Sequence, residues 1–336
     1  MKTFNRVVIL TFIIGVVLVG VAFGSGFDFR NLSDYFIDDE AYGSAINYNS
    51  TTIINKLDVD VDMRHIVIEH SDMEFIEVIY YSKDDDTWTI NEINGSLSIK
   101  QKENPSPSTW FSFKTASYDV RSVKILIPSD LLLDYNLKSD TGDIKISGLE
   151  EAKDMILNTD TGRIKVDHTK MDSLSIDNDT GSINLEYLEI TNNLDVQLDT
   201  GTTNLEHITA NFITVNAVTG KIDIKAINAE TLDVQSNTGS ISIDYTLIVG
   251  IMDIKADTGS ISVSQSAAAT YHIQSDTGSV NFSNTSIGNI SCDLYTDTGS
   301  VSVNGDHQGS RYKTTRGSVQ LNIDVDTGSI SVTILD

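Results

Sequence analysis

From Thr141 onward the chain keeps returning to one short phrase, most often Asp-Thr-Gly-Ser followed by alternating apolar residues. Its glycines are Gly142, Gly162, Gly181, Gly201, Gly220, Gly239, Gly259, Gly278, Gly299, Gly317 and Gly328, at spacings of 20, 19, 20, 19, 19, 20, 19, 21, 18 and 11 residues. A near-constant period of this length marks stacked repeats, each burying its apolar edge on the next. Few folds tolerate such a repeat.

Around each glycine the residues alternate with the strand period of two. Ile241 and Ile243 follow Gly239 by two and four places, and Val234 and Leu232 precede it by five and seven, with Ser, Asp and Gln between. Separate hairpins would not demand equivalent residues at one fixed period; stacked coils do. The expectation is an all-β parallel β-solenoid (β-helix) of about ten coils of 18–21 residues, with Gly317 to Val332 as a closing hairpin or short cap. Leu149, Leu188, Ile208 and Ile227, seven places after their glycines, predict a second, looser corner with its own apolar plug.

The chain divides by composition. Pro105, Pro107, Pro128, Trp88 and Trp110 all precede the repeats, which suits a ladder that needs every backbone N–H. Residues 131–336 read as the repeats and 46–130 as an N-terminal β cap, with strands near 57–61, 65–69, 75–81, 87–91, 96–101 and 120–127. Asn94-Gly95 is a hairpin signal between two of them.

Residues 28–45 read as an acidic tether and 1–27 as a signal-anchor or transmembrane segment. Val7 to Phe23 is uncharged and would span about 26 Å as a helix. Lys2 and Arg6 before it, with acids after it, predict a single-pass cell-membrane protein with an extracytoplasmic C-terminal domain. Secretion after cleavage near Ala22-Phe23-Gly24 is the alternative. The sole cysteine, Cys292, falls at an inward position, as a small core residue.

A net charge of −25 disfavours nucleic acid and favours cations or basic surfaces as partners. Asp-Thr-Gly is also an aspartic-protease phrase, but eight copies in one column leave no facing pair, and near-constant coil lengths leave little for the walls of a polysaccharide-acting enzyme, which is the third alternative. The expectation is no catalytic residue and no cofactor. Asp140, Asp160, Asp179, Asp199, Asp257, Asp276 and Asp297 form a carboxylate column, read as amide-capped turns with bridging Ca²⁺ as the alternative. Trp110, Phe111 and Phe113 follow a proline loop, either as an exposed tip gripping a ligand or as rings lying over the first coil.

Several phrases together resemble the bacterial family known as "putative adhesins", a domain of unknown function found on envelope proteins. They are Leu57-Asp58-Val59, His65-Ile66-Val67-Ile68, Gly95 to Gln101, Val123 to Pro128, and Leu137 to Ile144 running into the repeats, over about residues 50–336. The resemblance implies an extracytoplasmic β-solenoid with no catalytic residues to transfer; the expectation is a membrane-tethered scaffold that binds an envelope protein or cell-surface glycan. Some similar membrane-anchored proteins are encoded beside envelope-stress systems, which implies an accessory or regulatory role there as the alternative to adhesion.

Overall fold

The computed structural model describes residues 37–104, 116–285, 290–315 and 317–335. Alternation of apolar and polar residues produces strands almost throughout. In chain order these are β1 (Ile46–Asn49), β2 (Lys56–Val61), β3 (His65–Ser71), β4 (Glu77–Tyr80), β5 (Asp86–Ile93), β6 (Ser96–Glu103) and β7 (Ser122–Pro128). The repeats give β8 (Asp134–Thr141), β9 (Ile144–Ser147), β10 (Glu151–Ile190), β11 (Asn193–Lys225), β12 (Asn228–Asp244), β13 (Leu247–Ile248), β14 (Ile251–Thr258) and β15 (Ile261–Ser264). There follow β16 (Thr270–Thr277), β17 (Val280–Thr285), β18 (Ile290–Val303), β19 (Asp306–His307), β20 (Arg311–Lys313) and β21 (Val319–Leu335). All 21 strands belong to one sheet.

Most pairings are parallel and join each layer to its neighbour in register, so like residues lie over like. Met155 faces Tyr135, Leu232 faces Met252, Met252 faces Tyr271, and Tyr271 faces Leu321. These side chains are at most 2% exposed and line a continuous core. Each such burial contributes about 1.5–3 kcal/mol. Cys292 closes the same column opposite Leu321 and is buried, as its position predicts.

The expected solenoid, built of coils stacked in chain order behind a separate cap and a transmembrane helix, is corrected in three respects. First, β2 and β3 lie inside the stack, between β6/β7 on one side and β8/β9 on the other. Only β1, β4 and β5 turn antiparallel to cover that end. Second, β21 is no closing hairpin. It is a full layer inserted between β16/β17 and β18, so the last segment of the chain sits within the stack. Third, among the described residues no helix is long and apolar enough to cross a membrane, and this corrects the single-pass membrane localisation. The run 7–23 lies outside the described residues.

The two ends of the stack share one device. β5 folds back on β6 through Asn94-Gly95 (φ 52° and 78°), as that dipeptide predicts, and β19 folds back on β18 through Asn304-Gly305 (φ 50° and 86°). Positive φ at both central residues is the hairpin turn whose twist matches the strands. β20 adds a further antiparallel pairing on β18. Antiparallel strands thereby occupy edges that would otherwise invite pairing with another chain.

Candidate functional site

Each layer has two corners. At the first, Thr-Gly, the glycine column runs from Gly142 through Gly278 to Gly328 and then Gly299, each glycine close over the backbone carbonyl of the one before it. Gly317 stands outside this column and donates its N–H to Ser291 Oγ at 2.9 Å. In four layers the corner is held by a buried polar residue three places before the glycine. Ser139 Oγ donates to the Arg64 carbonyl (2.9 Å), Thr159 Oγ1 to Gly142 (3.3 Å), Asn178 Nδ2 to Gly162 (3.1 Å) and Thr296 Oγ1 to Gly328 (3.0 Å).

The aspartates of that corner point to solvent. Asp160, Asp179, Asp199, Asp257, Asp276 and Asp297 are exposed and Asp140 is half-buried. Asp140 pairs with Lys138 at 3.0 Å, and the Tyr295 hydroxyl donates to Asp297. Nearby Asp177 has its pKa raised by burial and then by the charges of Asp179, Asp199, Asp160 and Asp195. Trp110, Phe111 and Phe113 lie outside the described residues.

Arg64 occupies the glycine position of the β2/β3 layer and ends the column. Its guanidinium pairs with Asp86, both side chains at most 1% exposed, donates to the Tyr42 hydroxyl at 3.2 Å and lies over that ring. Gln101 Nε2 donates to Asp86 at 2.9 Å. Asp85, Asp86 and Glu103 lie close enough together to suit a cation, and the Lys83 ammonium pairs with Glu103 and reaches Asp85 at 3.5 Å. This cluster plugs the end of the stack.

The second corner is built on left-handed backbone. To turn the residue seven after the glycine inward, the residue six after it adopts the left-handed conformation. Gly148 (φ 67°), His168 (50°), Tyr187 (55°), His207 (54°), Ala226 (55°), Tyr245 (50°) and Gln265 (47°) all do so. The following plug is apolar and buried at Leu149, Leu188, Ile208 and Ile227, as expected. Where it is polar, it bonds back to the chain: Thr169 Oγ1 donates to the Asp167 carbonyl and Thr246 Oγ1 to Asp244, each at 3.1 Å. Left-handed backbone costs an ordinary residue roughly 1–2 kcal/mol, and a run of bulky residues paying it is a pointer to function.

Stacking brings three of these side chains into one exposed column. The His168 and Tyr187 rings lie 4.8 Å apart at 23°, and Tyr187 and His207 lie 4.8 Å apart at 9°. Asp167 accepts from His168 Nδ1 at 3.3 Å and from Ser147 Oγ at 2.7 Å. Burial would raise the Asp167 pKa, but hydrogen bonds from Ser147, His168 and Lys165 outweigh it and lower it. Beside the column a groove of about 750 Å³ is bounded by the Ser129–Leu132 loop, by Gly148 to Glu151, and by His168, Lys170, Tyr187 and Glu189. The reading from sequence did not reach this column, although its signal was present: rings recur six places after Gly162, Gly181, Gly201 and Gly239.

The family model for Toastrack DUF4097 matches residues 54–247 and 209–335. The chain belongs to the Toastrack DUF4097 family. The resemblance read from Leu57 to Ile144 and the repeats therefore holds, and the fold is of the Toastrack type. Similar solved structures include a "putative adhesin" from Bacteroides fragilis, 14% identical over 88% of this chain and 99% of that one, with a TM-score of 0.39. A "putative adhesin" from Parabacteroides distasonis is 12% identical over 87% and 98%, with a TM-score of 0.47. A "putative lipid binding protein" from the same organism is 16% identical over 86% and 97%, with a TM-score of 0.44. At these identities the likeness says nothing of what this Toastrack chain binds. No curated protein matches it.

Proposed function

We propose that this Toastrack protein is a non-enzymatic binding scaffold, adhesin-like in kind, and that it binds through the second corner at the His168, Tyr187 and His207 column. The observation that carries the reading is the column itself: three stacked rings, exposed to solvent, in strained backbone, beside a groove. Such side chains supply stacking area on a rigid support, which keeps the cost of ordering a binding surface low. An accessory role in envelope-stress signalling would use the same surface with a protein as its partner.

The test is to immobilise the full chain and probe it with arrays of cell-surface glycans and of peptides, comparing wild type with Tyr187→Ala. Wild type should retain at least one ligand class, and Tyr187→Ala should weaken it by about tenfold or more with an unchanged melting temperature. Equal retention by both proteins would place binding elsewhere.

A further inference from the structure

We propose that the open position at Gly148 receives a planar cation, the arginine side chain of a basic protein segment, stacked on the His168 ring. This rests on the binding reading above and adds the chemistry of the ligand.

The first observation is a vacancy in a periodic column. β9 aligns Ser147 with Asp167, so Gly148 stands in the layer next to His168 at the same corner position. The next layers supply rings at Tyr187 and His207; this one supplies none. A Cβ built at Gly148 meets nothing within 4 Å. One face of His168 is covered by Tyr187, and the other is left toward the groove that Gly148 and His168 both line. Asp167 fixes that ring through its Nδ1 contact and is a positioning residue.

The second observation is charge. The groove is lined by Asp130, Glu150, Glu151 and Glu189, with Lys170 as the lining cation among the described residues. Lys170 is tied to Glu189 at 2.9 Å. Asp130, Glu150 and Glu151 make no ion pair among the described residues, and the whole chain carries −25. A neutral sugar offers these carboxylates hydroxyl donors but leaves their charge in place, whereas a cation neutralises it.

The third is shape. The open space at Gly148 leaves one face of the His168 ring free for a flat group to stack on. A flat guanidinium stacks on such a face; a compact, strongly hydrated ammonium suits it less well.

The test uses the full chain and a fluorescent peptide of alternating glycine and arginine, read by anisotropy, beside matched lysine and citrulline peptides and a neutral chito-oligosaccharide. The expected order is arginine tightest, lysine weaker by about threefold or more, and citrulline weaker by about tenfold or more, with arginine binding falling as salt rises. Gly148→His should fill the open position, since histidine already adopts this conformation at His168 and His207. It should weaken the arginine peptide by about tenfold, while the protein stays folded and its melting temperature falls no further than that of Gly148→Ala, which pays the same left-handed backbone cost. Equal affinity for arginine and citrulline, or no effect of Gly148→His on arginine binding, overturns the proposal. If the oligosaccharide binds and is lost in Gly148→His while the arginine peptide never binds, the groove stands as the site and the cation does not. If neither probe binds and the arrays show nothing dependent on Tyr187, both readings fall.

Discussion

Gly239 lies directly over Gly220, so close that a Cβ on Gly239 would sit 1.6 Å from the Gly220 carbonyl oxygen. Its φ of 152° adds backbone strain for any side chain. Gly239→Ala should therefore cost about 3 kcal/mol or more in chemical denaturation, because no flexible neighbour can yield. Gly148→Ala, with open space around it, should cost only about 1–2 kcal/mol. Equal costs at the two sites would mean that the column is not set by contact between layers.

The Arg64–Asp86 pair predicts a different pattern. Arg64→Met leaves Asp86 buried without its guanidinium, a loss of about 3–5 kcal/mol. Adding Asp86→Leu should recover much of that loss, because the remaining desolvated charge is gone. A double-mutant cycle by urea denaturation measures both; a single variant costing less than about 1 kcal/mol would contradict the plug.

His65 gives a pH dependence. Its Nδ1 accepts the Asp143 N–H at 2.9 Å, and its ring stacks on Tyr118 with centroids 4.0 Å apart. Burial, and then the charge of Arg121, lower its pKa from 6.5 to about 4. Between these values the unfolded chain takes up a proton that the folded chain refuses, so stability falls as pH drops from 6.5 toward 4. Allowing for solvent screening of a partly exposed ring, the loss is roughly 1–2 kcal/mol. His65→Asn, which keeps an acceptor but does not titrate, should lose that share of the pH dependence. Parallel melting-temperature curves for the two proteins from pH 7 to 4 would contradict this.

Glu92 clamps the segment before β2. It accepts from the N–H groups of Thr51 (2.8 Å) and Thr52 (2.9 Å), from Thr52 Oγ1 (2.5 Å) and from the Tyr48 hydroxyl (2.8 Å). Burial would raise its pKa, but hydrogen bonds from Thr52, Tyr48 and Thr51 outweigh it and hold it at about 2. Tyr48 moves the opposite way, to about 12, through burial first and Glu92 second. The clamp's contribution is complete above the ordinary carboxylate range and is lost as pH falls through 2. A carboxyl NMR titration should place Glu92 near 2 in wild type and higher in Thr52→Val; a midpoint near 4.5 in wild type would remove the clamp.

The sequence resolved what is local and periodic. Strands β2 to β7, the Asn94-Gly95 turn, the inward Cys292 and the plugs at Leu149, Leu188, Ile208 and Ile227 all follow from alternation and turn chemistry, whereas the strands expected from sequence do not reach β1. Layer order did not, because the inward residues of β21 suit a position next to Gly278 as well as they suit one at the end of the stack. The 11-residue interval was the warning: Arg316-Gly317 lacks the Thr-Gly phrase, and the corner glycine of that layer is Gly328. The Asn304-Gly305 hairpin was as readable as Asn94-Gly95 but lay inside an assumed repeat. The aromatic column does not stand out in the sequence because its rings are spread 19 to 20 residues apart among outward positions, and only the fold shows that His168 and Tyr187 meet.

The most direct test of where this protein binds is imidazole NMR of the full chain, titrated with the arginine–glycine peptide. The six histidines report separately on the surface. His168, facing the open position, should shift most and saturably, His207 little, and His272 at the far end not at all; Gly148→His should move the His168 response to about tenfold higher peptide concentration. Shifts of equal size at all histidines, or a shift led by His272, would contradict the account.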